Sequence, residues 1–229
     1  ATAAAAMQPG TWAKLTMTNP EIISQWFLSL GNHSFTYVGY DGALAQWNSK
    51  KRQMYIVTCG DPQTIAQAPS PLFIFDADTN TWTAGAAPPS AACYHGYSQL
   101  AWDDTNEVLY FRRAYTYSMD VYRYCVNNTP APYCTGRAGT WSTLTPSGVA
   151  SQQAQALTYH AALNGGTLLF WNGTGAGQGC GGLSGWRESA PGWTLLAGQG
   201  CSMPVNADNY QNVMAYSAVK QVAIFGGGN

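Results

Sequence analysis

The stretch Trp102-Asp103-Asp104-Thr105-Asn106-Glu107-Val108-Leu109-Tyr110-Phe111 decides how this chain is read. An aromatic residue is followed by a short polar turn-former, a polar tip and an apolar run, which spells strand, tight turn and buried strand. The same pattern stands without a gap at Trp47-Asn48-Ser49-Lys50-Lys51-Arg52-Gln53-Met54-Tyr55-Ile56-Val57 and again at Tyr216-Ser217-Ala218-Val219-Lys220-Gln221-Val222-Ala223-Ile224-Phe225. A fourth version, Leu163-Asn164-Gly165-Gly166-Thr167-Leu168-Leu169-Phe170, shortens the turn to Asn-Gly-Gly, a strong hairpin signal.

Outward from each hairpin the units continue alike. Leu72-Phe73-Ile74-Phe75 reads as a third strand, Asp76-Ala77-Asp78-Thr79-Asn80 as a turn, and Thr81-Trp82 as the start of a fourth strand. Val121-Tyr122-Arg123-Tyr124 precedes Trp141 in the same way, and the Trp186 region precedes Trp193. With Trp12, the fourth-strand tryptophans are spaced 70, 59 and 52 residues apart. A recurrence near 50 residues marks a repeat architecture in which each unit is a small sheet stacked on its neighbour. The expected fold is all-β: four-stranded antiparallel blades repeated radially. A lone fourth strand is expected at 10–17, complete blades at 40–87, 93–147 and 155–198, and the first half of a further blade at 210–229. Only Glu21–Leu30 suits a short helix.

Composition narrows the class. Charged residues make up 9% of the 229-residue chain, against roughly 25% in ordinary soluble domains. No apolar run reaches the length of a membrane helix, and a net charge of −1 gives no electrostatic reason to expect nucleic acid or an anionic membrane surface. The six cysteines show no Cys-x-x-Cys spacing, which favours disulfides and an oxidising compartment over zinc. The start at Ala1-Thr2-Ala3-Ala4-Ala5-Ala6 suits a mature end left after signal-peptide removal. Asn32, Asn127 and Asn172 head N-glycosylation sequons. Secretion is the expectation.

The repeat resembles the kelch family of β-propellers, in particular the central propeller of galactose-oxidase-like proteins. The resemblance rests on Phe225-Gly226-Gly227 ending a second strand, on Phe75-Asp76-Ala77-Asp78-Thr79-Asn80-Thr81-Trp82, and on the Trp-x-x-Leu strands. His95 and His160 stand where kelch repeats often place a histidine. It implies a propeller fold, with a copper radical oxidase among the activities such a propeller can belong to. Propellers close with about 4–8 blades, so strands from further chain or from a partner are expected to complete the array.

In such a meander the 1–2 and 3–4 turns share one face and the 2–3 and 4–1 connections the other. The 2–3 and 4–1 loops are the long ones, apart from Cys125–Gly139, so binding is expected on their face. That topology predicts the pairs Cys59–Cys93 and Cys180–Cys201 between adjacent blades and Cys125–Cys134 within a local loop. Trp26, Tyr40, Tyr94, Tyr97 and Tyr159 are the candidate ligand-binding aromatics. Catalytic patterns are weak. His33, His95 and His160 read as structural, Asp76-x-Asp78-x-Asn80 lacks the Gly and Glu of a calcium loop, and Gly177-x-Gly179-x-x-Gly182 has no helix or acidic partner after it. No cofactor or metal is expected. The expected function is a non-catalytic binding module for carbohydrate or protein; the alternative is a structural extracellular protein that builds a fibre or wall through open blade edges.

Overall fold

The computed structural model describes residues 16–29, 43–58, 71–89, 99–112, 120–128, 132–148, 155–172, 182–197 and 213–226. One helix, α1 (Ile22–Ser29), lies inside the segment expected to be helical. The strands are β1 (Ala43–Asn48), β2 (Gln53–Thr58), β3 (Leu72–Asp76) and β4 (Thr81–Gly85); β5 (Leu100–Asp103), β6 (Val108–Phe111), β7 (Val121–Cys125) and β8 (Thr140–Leu144); β9 (Gln155–His160), β10 (Thr167–Asn172), β11 (Gly182–Trp186) and β12 (Thr194–Ala197); and β13 (Val213–Ser217) with β14 (Val222–Gly226). They form three four-stranded sheets in sequence order and one two-stranded sheet, all antiparallel. The chain is therefore an all-β array of propeller-like blades, called A to D below.

One device sets the 1–2 turns. The last residue of each first strand turns its side chain back onto the chain. Asn48 Oδ1 accepts the N–H groups of Lys50 and Lys51, and Asp103 Oδ1 those of Thr105 and Asn106. Ser217 Oγ accepts from Lys220, and His160 Nδ1 from Leu163. Asp76 does the same for Asp78 and Thr79 in a 3–4 turn. These are the local bonds that draw Asn, Asp and Ser into turns. Each four-residue turn then ends in a left-handed residue: Arg52, Asn80, Glu107 and Gln221, with φ of 52, 52, 52 and 53°. Among them only Asn80 is a residue type enriched in that region. Gln221 is exposed, so Gln221→Gly should relieve the backbone without losing a packed side chain. The expected gain is about 0.5 kcal/mol, read as a higher urea midpoint at unchanged m-value.

Blades stack face to face, which explains the scarcity of charge. In β6, Val108 and Tyr110 join the core shared with blade C, while Leu109 and Phe111 join the core shared with blade A. In β7, Tyr122 and Tyr124 face A while Val121 and Cys125 face C. Every residue of β6 and β7 is buried, so the polar alternation of a one-sided sheet disappears. A third core joins Ala156, Leu169 and Trp171 of blade C to Met214 of blade D.

A backbone link repeats at the outer edge. Ser147 donates to the Pro191 carbonyl and accepts from Trp193 N–H; Thr18 donates to the Asn80 carbonyl and accepts from Trp82 N–H. Ser147 lies six residues after Trp141, and Thr18 six after Trp12. Pro88 holds that offset after Trp82 but has no N–H to donate. At that junction Trp141 Nε1 donates to the Ala86 carbonyl at 2.8 Å instead.

Candidate functional site

Strand register brings four aromatic residues into equivalent places. Trp47, Trp102, Tyr159 and Tyr216 are each the penultimate residue of a first strand, paired with Met54, Leu109, Leu168 and Ala223. In blade C this differs from the sequence alignment. The Asn-Gly-Gly stretch is the end of a longer turn, 161–166, that contains a 3-10 segment Leu163–Gly165. His160, rather than an Asx residue, starts that turn, so Tyr159 and not Leu163 matches Trp102.

Trp102, Tyr159 and Tyr216 each lean on the blade before. Trp102 stacks on Tyr55 with ring centroids 5.7 Å apart, and Tyr159 stacks on Tyr110 at 5.9 Å. Tyr216 lies 4.5 Å from the His160 ring. Where the first strands of all four blades converge, at the 1–2 turn end, they leave a hollow of about 630 Å3. Its walls are the four aromatics with Gln46, Asp104, Thr105, Thr158 and Gln221. Trp47 is 47% exposed. Asp104 is held by the Trp102 Nε1 donor at 3.2 Å and the Ser49 hydroxyl at 3.3 Å, and its carbonyl accepts from Lys50 Nζ.

Behind Tyr159 a second cavity of about 200 Å3 opens between blades B and C, lined by Asn106, Tyr110, Tyr133, Tyr159, Trp186 and Glu188 among others. The expected Cys125–Cys134 disulfide is present, with Cα atoms 5.6 Å apart. It fixes the 3-10 segment Pro132–Cys134 and so places Tyr133 over the buried Arg123, whose guanidinium sits 4.4 Å from the ring centre. Arg123 Nη1 pairs with Glu188 Oε2 at 2.8 Å, and the Tyr110 hydroxyl donates to Glu188 Oε1 at 3.2 Å. The cavity's one pocket carboxylate is thus already paired. Gly166, at φ 114°, lets the Tyr159 hydroxyl press against the backbone; any Cβ there would collide with it.

Burial sets the protonation of this cluster and of Tyr55 and Tyr124 in the core between blades A and B. It pushes Tyr55 up to about 12 and raises Tyr110, Tyr124, Tyr133 and Tyr159. For Tyr110 and Tyr159, nearby carboxylates, Glu188 and Asp103, raise it further. A folded value above the unfolded one means that stability is whole below about pH 10 and is lost as pH rises through the folded values. Alkaline titration should therefore show these tyrosines ionising together with unfolding. A tyrosinate absorbance change near pH 10 large enough for all 14 tyrosines, with the near-ultraviolet dichroism intact, would contradict this.

The expected residues fall unevenly. Tyr159 lines both cavities, at the turn end of blade C rather than the loop end expected for it. Trp26 packs edge-on against Phe73 at 6.0 Å and covers blade A. The amide nitrogen of Asn127, where a glycan would attach, donates to Glu107 Oε2 at 2.6 Å, and its oxygen accepts from Lys51 at 2.6 Å. His160 is a turn-former, as a structural histidine would be. Tyr40, Tyr94, Tyr97, Cys59, Cys93, Cys180, Cys201, Asn32, His33, His95 and the side chain of Asn172 lie outside the described residues. Sequence reasoning passed over Trp47, Trp102, Tyr110, Tyr133, Glu188 and Tyr216. For the first-strand pair Trp47 and Trp102 the signal was already there, as the aromatic preceding each turn. No helix among the described residues is long and apolar enough to cross a membrane.

No protein-family model matches the sequence, and neither does any curated protein. Among solved structures the chain is similar to one titled NanB plus Optactamide and to a mutant of NanB sialidase from Streptococcus pneumoniae. Each is 12% identical with a TM-score of 0.51, over 76% of this chain and 26% of the other. TolB from Acinetobacter baumannii is 10% identical with a TM-score of 0.39, over 77% of this chain and 44% of its own. The chain thus spans about a quarter of the length of the first structures it matches. The NanB likeness shows a propeller-like fold and nothing finer.

Proposed function

We propose that this chain is a secreted, non-catalytic, kelch-type propeller module that binds neutral carbohydrate in the hollow at its 1–2 turn end. One observation carries the reading: Trp47, Trp102, Tyr159 and Tyr216 occupy one register position around a hollow whose size falls within the about 300–1,000 Å3 of small-molecule sites. Aromatic faces offer apolar contact to the C–H face of a sugar ring. The amides of Gln46 and Gln221 and the hydroxyls of Thr105 and Thr158 offer the few polar groups that orient a ligand. The smaller cavity behind Tyr159 adds tyrosine hydroxyls, and its carboxylate, Glu188, is already paired with Arg123.

A non-catalytic role is supported by the chemistry of the cluster. Burial holds its tyrosines neutral, which makes them poor nucleophiles, and Glu188 is tied to Arg123. Secretion is supported by the Cys125–Cys134 disulfide, and the kelch reading by the Asp76 turn and the tryptophan-bearing fourth strands.

Neutral oligosaccharides arrayed against the purified chain should give a ligand, to be followed by calorimetric titration. Trp47→Ala should weaken binding about tenfold or more, while Leu28→Ala, on exposed α1 away from the hollow, should leave it unchanged. No bound glycan, or equal affinity for Trp47→Ala and the unsubstituted chain, would overturn the reading.

A further inference from the structure

The four 1–2 turns each place one residue directly after the last residue of a first strand: Ser49, Asp104, Ala161 and Ala218. The side-chain bond that sets each turn is made by the residue before, Asn48, Asp103, His160 or Ser217. The turn therefore needs no particular side chain at the next position, and a serine and two alanines fill it in blades A, C and D. Blade B alone puts a carboxylate there. Asp104, Ala161 and Ala218 all line the hollow, and Asp104 is the one charged side chain on its wall among the described residues.

That carboxylate is exposed, yet its orientation is fixed. Oδ1 accepts from the Trp102 Nε1–H at 3.2 Å and from the Ser49 hydroxyl at 3.3 Å. Among the described residues no donor meets Oδ2. Two bonds on one oxygen hold the side chain before any ligand arrives, so less ordering remains to be done when the other oxygen is used. A carboxylate only accepts, and hydrogen bonds to a charged acceptor are about twice as strong as neutral ones. Two hydroxyls on adjacent carbons of a sugar ring are donors of the right kind. Lys50 places its ammonium on the Asp104 backbone carbonyl and does not line the hollow, so the charge that a ligand meets is negative.

We propose that Asp104 is the specificity-determining residue of the hollow. Its Oδ2 accepts hydrogen bonds from adjacent hydroxyls of a neutral sugar ring, and its charge turns away sugars that carry a carboxylate of their own. The proposal rests on the carbohydrate reading of the hollow and adds the group that orients the ring. An aromatic face contacts C–H groups that a hexose and its uronic acid share, so the four aromatics do not distinguish the two. Asp104 does.

The test is Asp104→Asn. The Trp102 indole can only donate, so the amide oxygen keeps the Oδ1 place and the amide NH2 takes that of Oδ2. An acceptor becomes a donor at unchanged shape. The position is exposed, so the fold should survive, which an unchanged urea midpoint checks. Calorimetry with glucose, mannose and galactose tetraoses, and with the matching uronic acid tetramers, reads both affinity and preference. The unsubstituted chain should prefer the neutral tetraose it binds over its uronic acid counterpart by about tenfold or more. Asp104→Asn should weaken the neutral tetraose about tenfold and narrow that preference. If Trp47→Ala loses the tetraose while Asp104→Asn holds it within about twofold, or weakens both tetramers alike, the assignment of Asp104 falls and the carbohydrate reading stands. If no tetraose binds the unsubstituted chain, both fall.

Discussion

Replacing Glu188 with alanine is expected to destabilise the fold by about 3 kcal/mol, the low end of the about 3–5 kcal/mol seen when one partner of a buried ion pair is removed. Arg123 is 4% exposed, and among the described residues Glu188 supplies its only carboxylate contact, at 2.8 Å. Without it the guanidinium keeps the Tyr133 ring but remains a buried, uncompensated charge between blades B and C. The low end applies because the Glu188 side chain is 21% exposed, so water can reach part of the gap. The Tyr110 hydroxyl loses its acceptor as well, keeping Tyr133 at 3.5 Å among the described residues. Converting both members, Arg123→Met with Glu188→Leu, should recover most of the loss, since no unpaired charge then stays behind. Urea unfolding of both single variants and the double variant reads this as a coupling energy. A loss below about 1 kcal/mol for Glu188→Ala, within the range of an exposed pair, would show that Arg123 is solvated.

The second large effect comes from a matched pair of truncations. Leu169 and Ile224 occupy the same register position in blades C and D. Leu169→Ala should cost about 2–5 kcal/mol, the range for emptying a packed site, because blade D covers it. Ile224→Ala, in dilute protein, should stay within about 0.5 kcal/mol, as exposed substitutions do. The residues differ little in chemistry; what differs is a following blade. Similar losses at both would mean that stability resides within each sheet rather than between sheets.

Much of the fold was legible because turns announce themselves. Asn48, Asp76 and Asp103 are residue types that bond back to the chain, and each stands after an apolar strand and before a polar tip. The left-handed residues closing those turns were invisible, since Arg52, Glu107 and Gln221 carry no conformational signature. Blade C was misaligned for a related reason. Gly165-Gly166 reads as a tight hairpin, whereas the turn begins at His160 and needs two more residues than its counterparts.

The site was harder to read. Loop length pointed to the 2–3 and 4–1 face, yet the described cavities are walled by side chains from strand ends and short turns. A period-two pattern tells inside from outside only when one face meets water. In β6 and β7 both faces are buried, so nothing in Val108-Leu109-Tyr110-Phe111 says which residues look toward blade C. Tyr159 is among the sequence candidates, and its place just before the turn puts it at the turn end of the strand rather than on the long-loop face. Tyr133 and Glu188 meet only through packing of blade B on blade C, which no local pattern records.

The central claim is that first-strand aromatics, one per blade, build the binding hollow at the turn end. Hydrogen exchange of the chain with and without its oligosaccharide ligand tests it most directly. The account predicts slowed exchange at the 1–2 turns, at residues 49–52, 104–107, 161–166 and 218–221. Protection confined to the 2–3 and 4–1 connections, with those turns unchanged, would contradict it.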